Sequence, residues 1–158
     1  MTRSTVVAGV LGFVAAAAVV MGQAGNPQVG FWKMNIAKSQ FSAGTGFKSA
    51  TSRIEDVGGG VKHTLDTVYA DGTSRRYEYS TTYDGKDVPV IGNSPYGNTV
   101  ALTRVDAHTV RTVYKNNGTV TVIQTSVVSN DGKTRTVTTK GTNPTGQTVN
   151  NMSVYDRQ

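Results

Sequence analysis

The sequence predicts an all-β domain, an antiparallel meander closed into a barrel of about eight to ten strands and preceded by a signal peptide. Three observations carry this. Glycine-containing turn signals recur at a nearly even step: Gly58-Gly59-Gly60, Asp71-Gly72, Asp84-Gly85, Tyr96-Gly97, Asn117-Gly118, Asp131-Gly132 and Thr145-Gly146. Asn-Gly and Asp-Gly between β-branched runs are strong hairpin signals. The intervening segments are rich in Val and Thr and alternate in polarity, with no sustained helical period. Their faces also mix Val and Leu with Tyr, Thr, Arg, His and Asn. A partly wet barrel interior tolerates that mixture better than a tightly pressed sandwich does.

The chain begins with the basic Met1-Thr2-Arg3, and an apolar stretch from Ser4 to Met21 follows. Gly22-Gln23-Ala24 then places small residues where a signal peptidase reads them, which makes residues 1–24 a secretory signal peptide. The apolar run approaches bilayer length, but Gly-Gln-Ala-Gly-Asn-Pro follows it rather than a Lys/Arg stop, and there is no cysteine for a lipobox. Residues 25–158 are therefore expected to form one domain, periplasmic or secreted, with no membrane association after signal cleavage. The absence of cysteine leaves that domain to packing and hydrogen bonds and removes thiolate chemistry. The net charge of +6 is spread out, with Arg75-Arg76 the only adjacent basic pair, which favours solubility over a nucleic-acid partner.

The elements follow in order. Val29 to Met34 reads as a first strand. Residues 35–50 are irregular, with one helical turn after an Asn35 cap and a flexible Ser42–Gly46 loop, and read as a lid or strap. Strands are expected over Ser49–Asp56, Val61–Ala70, Thr73–Tyr83, Asp87–Ile91, Thr99–Val105, Thr109–Lys115, Thr119–Ser129, Thr134–Gly141 and Gln147–Tyr155. A break at Asp106-Ala107-His108 divides the longest interval between glycine turns. Pro89 and Pro95 bracket the weakest strand and mark an edge or irregular patch. Alternation puts Val61, His63, Leu65, Thr67 and Tyr69 on one face, and Arg75, Tyr77, Tyr79 and Tyr83 on one face of the next strand.

Gly30-Phe31-Trp32 holds the only tryptophan of the chain. Here the sequence resembles the lipocalins and wider calycin barrels, whose first strand carries Gly-x-Trp. The resemblance implies that Trp32 closes one barrel end with a basic side chain from the last strand across it. Arg157 is the candidate partner, by cation–π contact, so Gly30, Trp32 and Arg157 are the expected closure residues. The chain departs from lipocalins in lacking a Thr-Asp-Tyr-type second motif and a C-terminal helix. It also resembles an exported bacterial family of unassigned function, through Trp32-Lys33-x-Asn35-x-Ala37-Lys38-Ser39 and Lys140-Gly141-Thr142-Asn143-x-x-Gly146-Gln147-Thr148.

The lipocalin-like reading implies a monomer that binds a small apolar or amphiphilic molecule inside the barrel, with residues 35–50 as lid. The candidate ligand-binding residues are Tyr69, Tyr77, Tyr79, Arg75, His63 and Leu65: apolar area from Leu65, hydroxyls from the tyrosines, and a guanidinium for a carboxylate. Arg104, Arg111 and Arg135 are further arginines that can pair with Arg75 in that task. Each residue has a plainer reading: cross-strand tyrosine pairing, a satisfied interior His63, solvated arginines. Asp71, Asp84 and Asp131 are explained by turn chemistry, so neither a metal site nor a cofactor is expected. No Ser-His-Asp order, P-loop or HExxH motif is present, and an enzymatic role has only Tyr77, Tyr79 and His63 to draw on. The alternative is a structural or protein-interaction module, its barrel filled by side chains, self-associating through β-edges.

Overall fold

The computed structural model describes residues 25–44 and 46–158; the expected signal peptide lies outside the described residues. Eleven strands form in chain order: β1 (Gly30–Met34), β2 (Phe47–Asp56), β3 (Val61–Tyr69), β4 (Ser74–Thr81), β5 (Val88–Pro89), β6 (Ile91–Gly92), β7 (Thr99–Arg104), β8 (Thr109–Asn116), β9 (Thr119–Val128), β10 (Thr134–Thr142) and β11 (Thr148–Arg157). All pairings are antiparallel, in one sheet ordered β5-β7-β8-β9-β10-β11-β1-β2-β3-β4-β6. The two ends of that order, β5 and β6, are consecutive in sequence. The sheet therefore curls into a nearly closed all-β barrel whose seam is the stretch 88–92.

Each turn signal falls between strands. At the β8–β9 hairpin Asn117 and Gly118 both adopt positive φ, 51° and 83°, as a two-residue primed turn requires. The aspartates accept backbone N–H groups two residues on, Asp71 from Thr73 at 2.8 Å and Asp84 from Lys86 at 3.0 Å. The expected Asp87–Ile91 strand is split. Val88 and Pro89 pair with Val100 and Thr99 of β7, while Ile91 and Gly92 pair with Glu78 and Tyr77 of β4. Pro89 lacks an N–H, so it suits a place where one ladder ends and another begins.

The segment after β1 is a strap. Asn35 caps a single 3₁₀ turn over Ile36–Lys38, and Gln40 exchanges both backbone hydrogen bonds with Met152 at 2.8 Å. Ser42 N donates to Asn151 Oδ1 at 2.9 Å. The strap thus continues the wall along β11 where β1 stops. It ends in an aromatic run, Phe41 edge-on to Phe47 at 5.1 Å and Phe47 stacked on Tyr69 at 4.9 Å.

The inward faces are filled in layers. Trp32, Val61, Val110 and Val128 lie towards the end that carries the 25–29 leader. Tyr77, Tyr114 and Val137 lie higher, and Tyr96 and Val149 are near the opposite mouth. Tyr114 is fully buried and is the hub of edge-on contacts with Tyr77, Tyr79 and Tyr96, at 6.4, 6.4 and 5.4 Å.

Candidate functional site

Three places along the barrel axis carry polar chemistry. The first is the closed end. Trp32 is fully buried, and its Nε1 donates to the Gln28 carbonyl at 3.0 Å. The Arg157 guanidinium lies 4.1 Å from the indole centroid. Its Nε, Nη1 and Nη2 donate to the carbonyls of Gly132, Val29 and Pro27 at 2.6, 2.8 and 2.8 Å. Arg157 belongs to β11 itself, opposite Trp32 of β1 in register. Gly30 explains the Gly-x-Trp spacing physically: its φ is +151°, and a Cβ there would sit 2.3 Å from Arg157 Nη1. Only glycine leaves the guanidinium room to reach the indole.

The second place is a polar layer across the barrel's middle. Arg135 is 6% exposed. Its Nε donates to Gln28 Oε1 at 3.1 Å and Ser126 Oγ at 2.7 Å, and its Nη1 donates to Ser52 Oγ at 2.9 Å. Ser52 Oγ lies 2.7 Å from His63 Nε2, and His63 Nδ1 lies 2.7 Å from the Tyr79 hydroxyl. Burial, with the Arg135 charge second, holds His63 well below the usual imidazole range. Burial likewise pushes the Tyr79 hydroxyl up to about 12. This layer is nearly solid, since the cavity beside it measures only about 20 Å³.

The third place is the mouth opposite Trp32. A cavity of about 280 Å³ opens there. Phe47, Tyr69, Tyr96 and Val149 supply apolar wall, and Asp71 and Arg75 are among its polar lining. The Arg75 guanidinium sits 5.6 Å from the Tyr69 ring centroid, and its Nη1 donates to Asn93 Oδ1 at 3.0 Å. Burial raises Tyr69 above the ordinary phenol range, partly offset by the Arg75 charge.

The structure divides the six residues expected to bind ligand. Tyr69 and Arg75 share the mouth cavity. Tyr77 lies beneath it in the aromatic hub, its hydroxyl 3.5 Å from that of Tyr114. His63 and Tyr79 belong to the polar layer. Leu65 packs against the core opposite Tyr77 and Ser52 in register. Of the other arginines, Arg104 lies over Tyr83 at 4.6 Å, Arg111 is exposed, and Arg135 is the one drawn inside.

Sequence reasoning missed the central roles of Gln28, Ser52, Tyr96 and Tyr114. Arg135 was legible by alternation, because it shares a β10 face with Val137 and Thr139, both buried. Gln28 had no such signal, since it comes from the leader and reaches the layer only through the folded barrel.

The chain matches no protein-family profile, no curated protein and no solved structure. Among the described residues, no group of three or more His, Cys, Asp or Glu is placed to hold a metal ion. No helix among them is long and apolar enough to cross a membrane.

Proposed function

We propose that the protein is an exported, monomeric binding protein that takes a small amphiphilic molecule at the upper mouth of its lipocalin-like barrel. The observation that carries this reading is the cavity of about 280 Å³, which joins an aromatic wall to a polar rim holding Arg75 and Asp71. Its volume falls at the lower edge of the range for small-molecule sites, roughly 300 Å³. The ligand is therefore small. Its apolar part would lie on Phe47, Tyr69 and Tyr96, and an acidic end would exchange for Asn93 on the Arg75 guanidinium. The site is thus shifted from the barrel's middle, where Tyr79 and His63 have partners already, to its rim.

Native mass spectrometry of protein taken gently from the producing cell tests this. The expected result is an adduct of small mass, lost when Val149→Trp fills the cavity floor. A bare mass for the parent protein, or an adduct that survives Val149→Trp, rejects the mouth as the site.

The nearly solid middle layer favours a second reading, a side-chain-filled module that works through its surface. Closure leaves only the short β5 and β6 as edges, so self-association would have to use that seam. Light scattering across a hundredfold concentration range separates the readings. A constant monomer mass removes the seam-mediated assembly.

A further inference from the structure

We propose, on the basis that the mouth is the ligand site, that its ligand is a zwitterion: an α-amino acid with a flat apolar side chain that ends in a hydrogen-bonding atom. Two charges on the rim point to this. Asp71 and Arg75 both line the cavity, yet none of the ion pairs among the described residues includes either. Each is held by a local partner instead. Asp71 accepts the Thr73 N–H at 2.8 Å, and Arg75 Nη1 donates to Asn93 Oδ1 at 3.0 Å. The Thr73 N–H is the main cause that holds the Asp71 carboxyl below its usual range, with the Arg75 charge a smaller one, so Asp71 is ionised at neutral pH. Both charges also act on the Tyr69 hydroxyl, so they flank the same part of the wall.

A ligand with an acidic end alone would bring its carboxylate to Arg75 and leave it near Asp71, a like charge. An ammonium on the neighbouring carbon turns that repulsion into attraction, and the two rim groups then meet the two poles of one molecule. Asp71 keeps acceptor capacity for this, since a carboxylate offers more lone pairs than the Thr73 N–H uses. Both poles are positioned before the ligand arrives, which lowers the ordering cost of binding. Tyr96 sets the other end of the ligand. It is 8% exposed and lines the cavity beside Phe47 and Tyr69. Its hydroxyl makes no hydrogen bond among the described residues, yet among them only Thr81 Oγ1 is a buried side-chain atom without a partner. The Tyr96 hydroxyl is therefore not sealed in. It is open to the cavity, where it can pair with a polar tip on the side chain of the ligand.

The test is a titration followed by backbone amide NMR, with L-tyrosine as the probe. Saturable shifts are expected at Thr73, Asn93 and Tyr96. Tyramine lacks the carboxylate, desaminotyrosine lacks the ammonium and L-phenylalanine lacks the polar tip. Each should bind about tenfold more weakly than L-tyrosine. Asp71→Asn keeps the turn acceptor and removes the charge, and should bring L-tyrosine down to the level of desaminotyrosine. Tyr96→Phe should erase the preference for tyrosine over phenylalanine. Desaminotyrosine binding as tightly as L-tyrosine would overturn the zwitterion and leave a purely acidic ligand at the mouth. No saturable shift with L-tyrosine, or preferences unchanged in Asp71→Asn and Tyr96→Phe, would also overturn it. The mouth reading fails by a different result, a bare mass in native mass spectrometry or an adduct that survives Val149→Trp.

Discussion

Arg157 shows how much one side chain can hold. It ties the leader, at Pro27 and Val29, and the β9–β10 turn, at Gly132, to the indole that seals the barrel end. Replacing it with alanine removes three charge-assisted hydrogen bonds and a cation–π contact. We expect Arg157→Ala to cost about 2–4 kcal/mol in denaturant unfolding, with Arg157→Lys recovering only part. His63 makes a second residue-scale prediction. Its folded-state pKa lies well below the ordinary imidazole value of 6.5, through burial first and Arg135 second. The unfolded chain therefore binds more protons than the folded one below about that pH. Stability present above pH 6.5 is then lost as pH falls towards the folded-state value. NMR of the His63 ring should show it neutral through pH 6.5; protonation there would mean that the Ser52–His63–Tyr79 chain is not intact.

At the scale of elements, the barrel is uneven. The β2–β3, β3–β4, β8–β9, β9–β10 and β10–β11 ladders are long, whereas the seam rests on two residue pairs on each side. Further backbone bonds extend it, among them Val90 N to Asn98 O at 2.9 Å and Asn93 N to Arg76 O at 2.8 Å. Those two amides should exchange with solvent well before the amides of β10, because the seam can open without breaking a long ladder. Gly92 lets the seam close. It has φ of +98°, and an added Cβ would lie 2.5 Å from the Arg76 carbonyl oxygen. Gly92→Ala should cost about 1–3 kcal/mol and speed exchange at Asn93 specifically. Uniform acceleration across the barrel would show that the seam does not open by itself.

At the scale of the whole molecule, the interior sets the pH range of the fold. Tyr77, Tyr79, Tyr96, Tyr114 and Tyr155 are all raised above the phenol value of 10, with burial the main cause in each. The unfolded chain loses those protons first, so stability falls as pH rises above 10. Phenolate absorbance should therefore lag in the folded protein and jump at a cooperative alkaline transition, when the five ionise together on unfolding. A smooth titration of all seven tyrosines near pH 10 would mean that the aromatic hub is open to water. The outer wall is of another kind: Arg53, Glu55, Lys62, Asp66, Arg76 and Glu78 gather on the outside of β2–β4, with ion pairs Lys62–Glu78 at 3.1 Å and Arg76–Asp66 at 3.1 Å. That face is unlike the apolar band of a membrane barrel.

The sequence by itself determined the class of fold, the turns and the inward faces, because each depends on neighbours close in the chain. Asp-Gly and Asn-Gly fix hairpins locally, and alternation sorts Val61, His63, Leu65 and Thr67 to one side of β3 whatever lies opposite. Tertiary structure alone decided what meets across the interior. Gln28, Ser52, Ser126 and Arg135 converge from the leader and three strands, and no local pattern records which inward residues share a level. It also decided where space remains. Packing closed the middle around those groups and left a cavity of about 280 Å³ at the rim, because cavity volume is set by side chains distant in sequence.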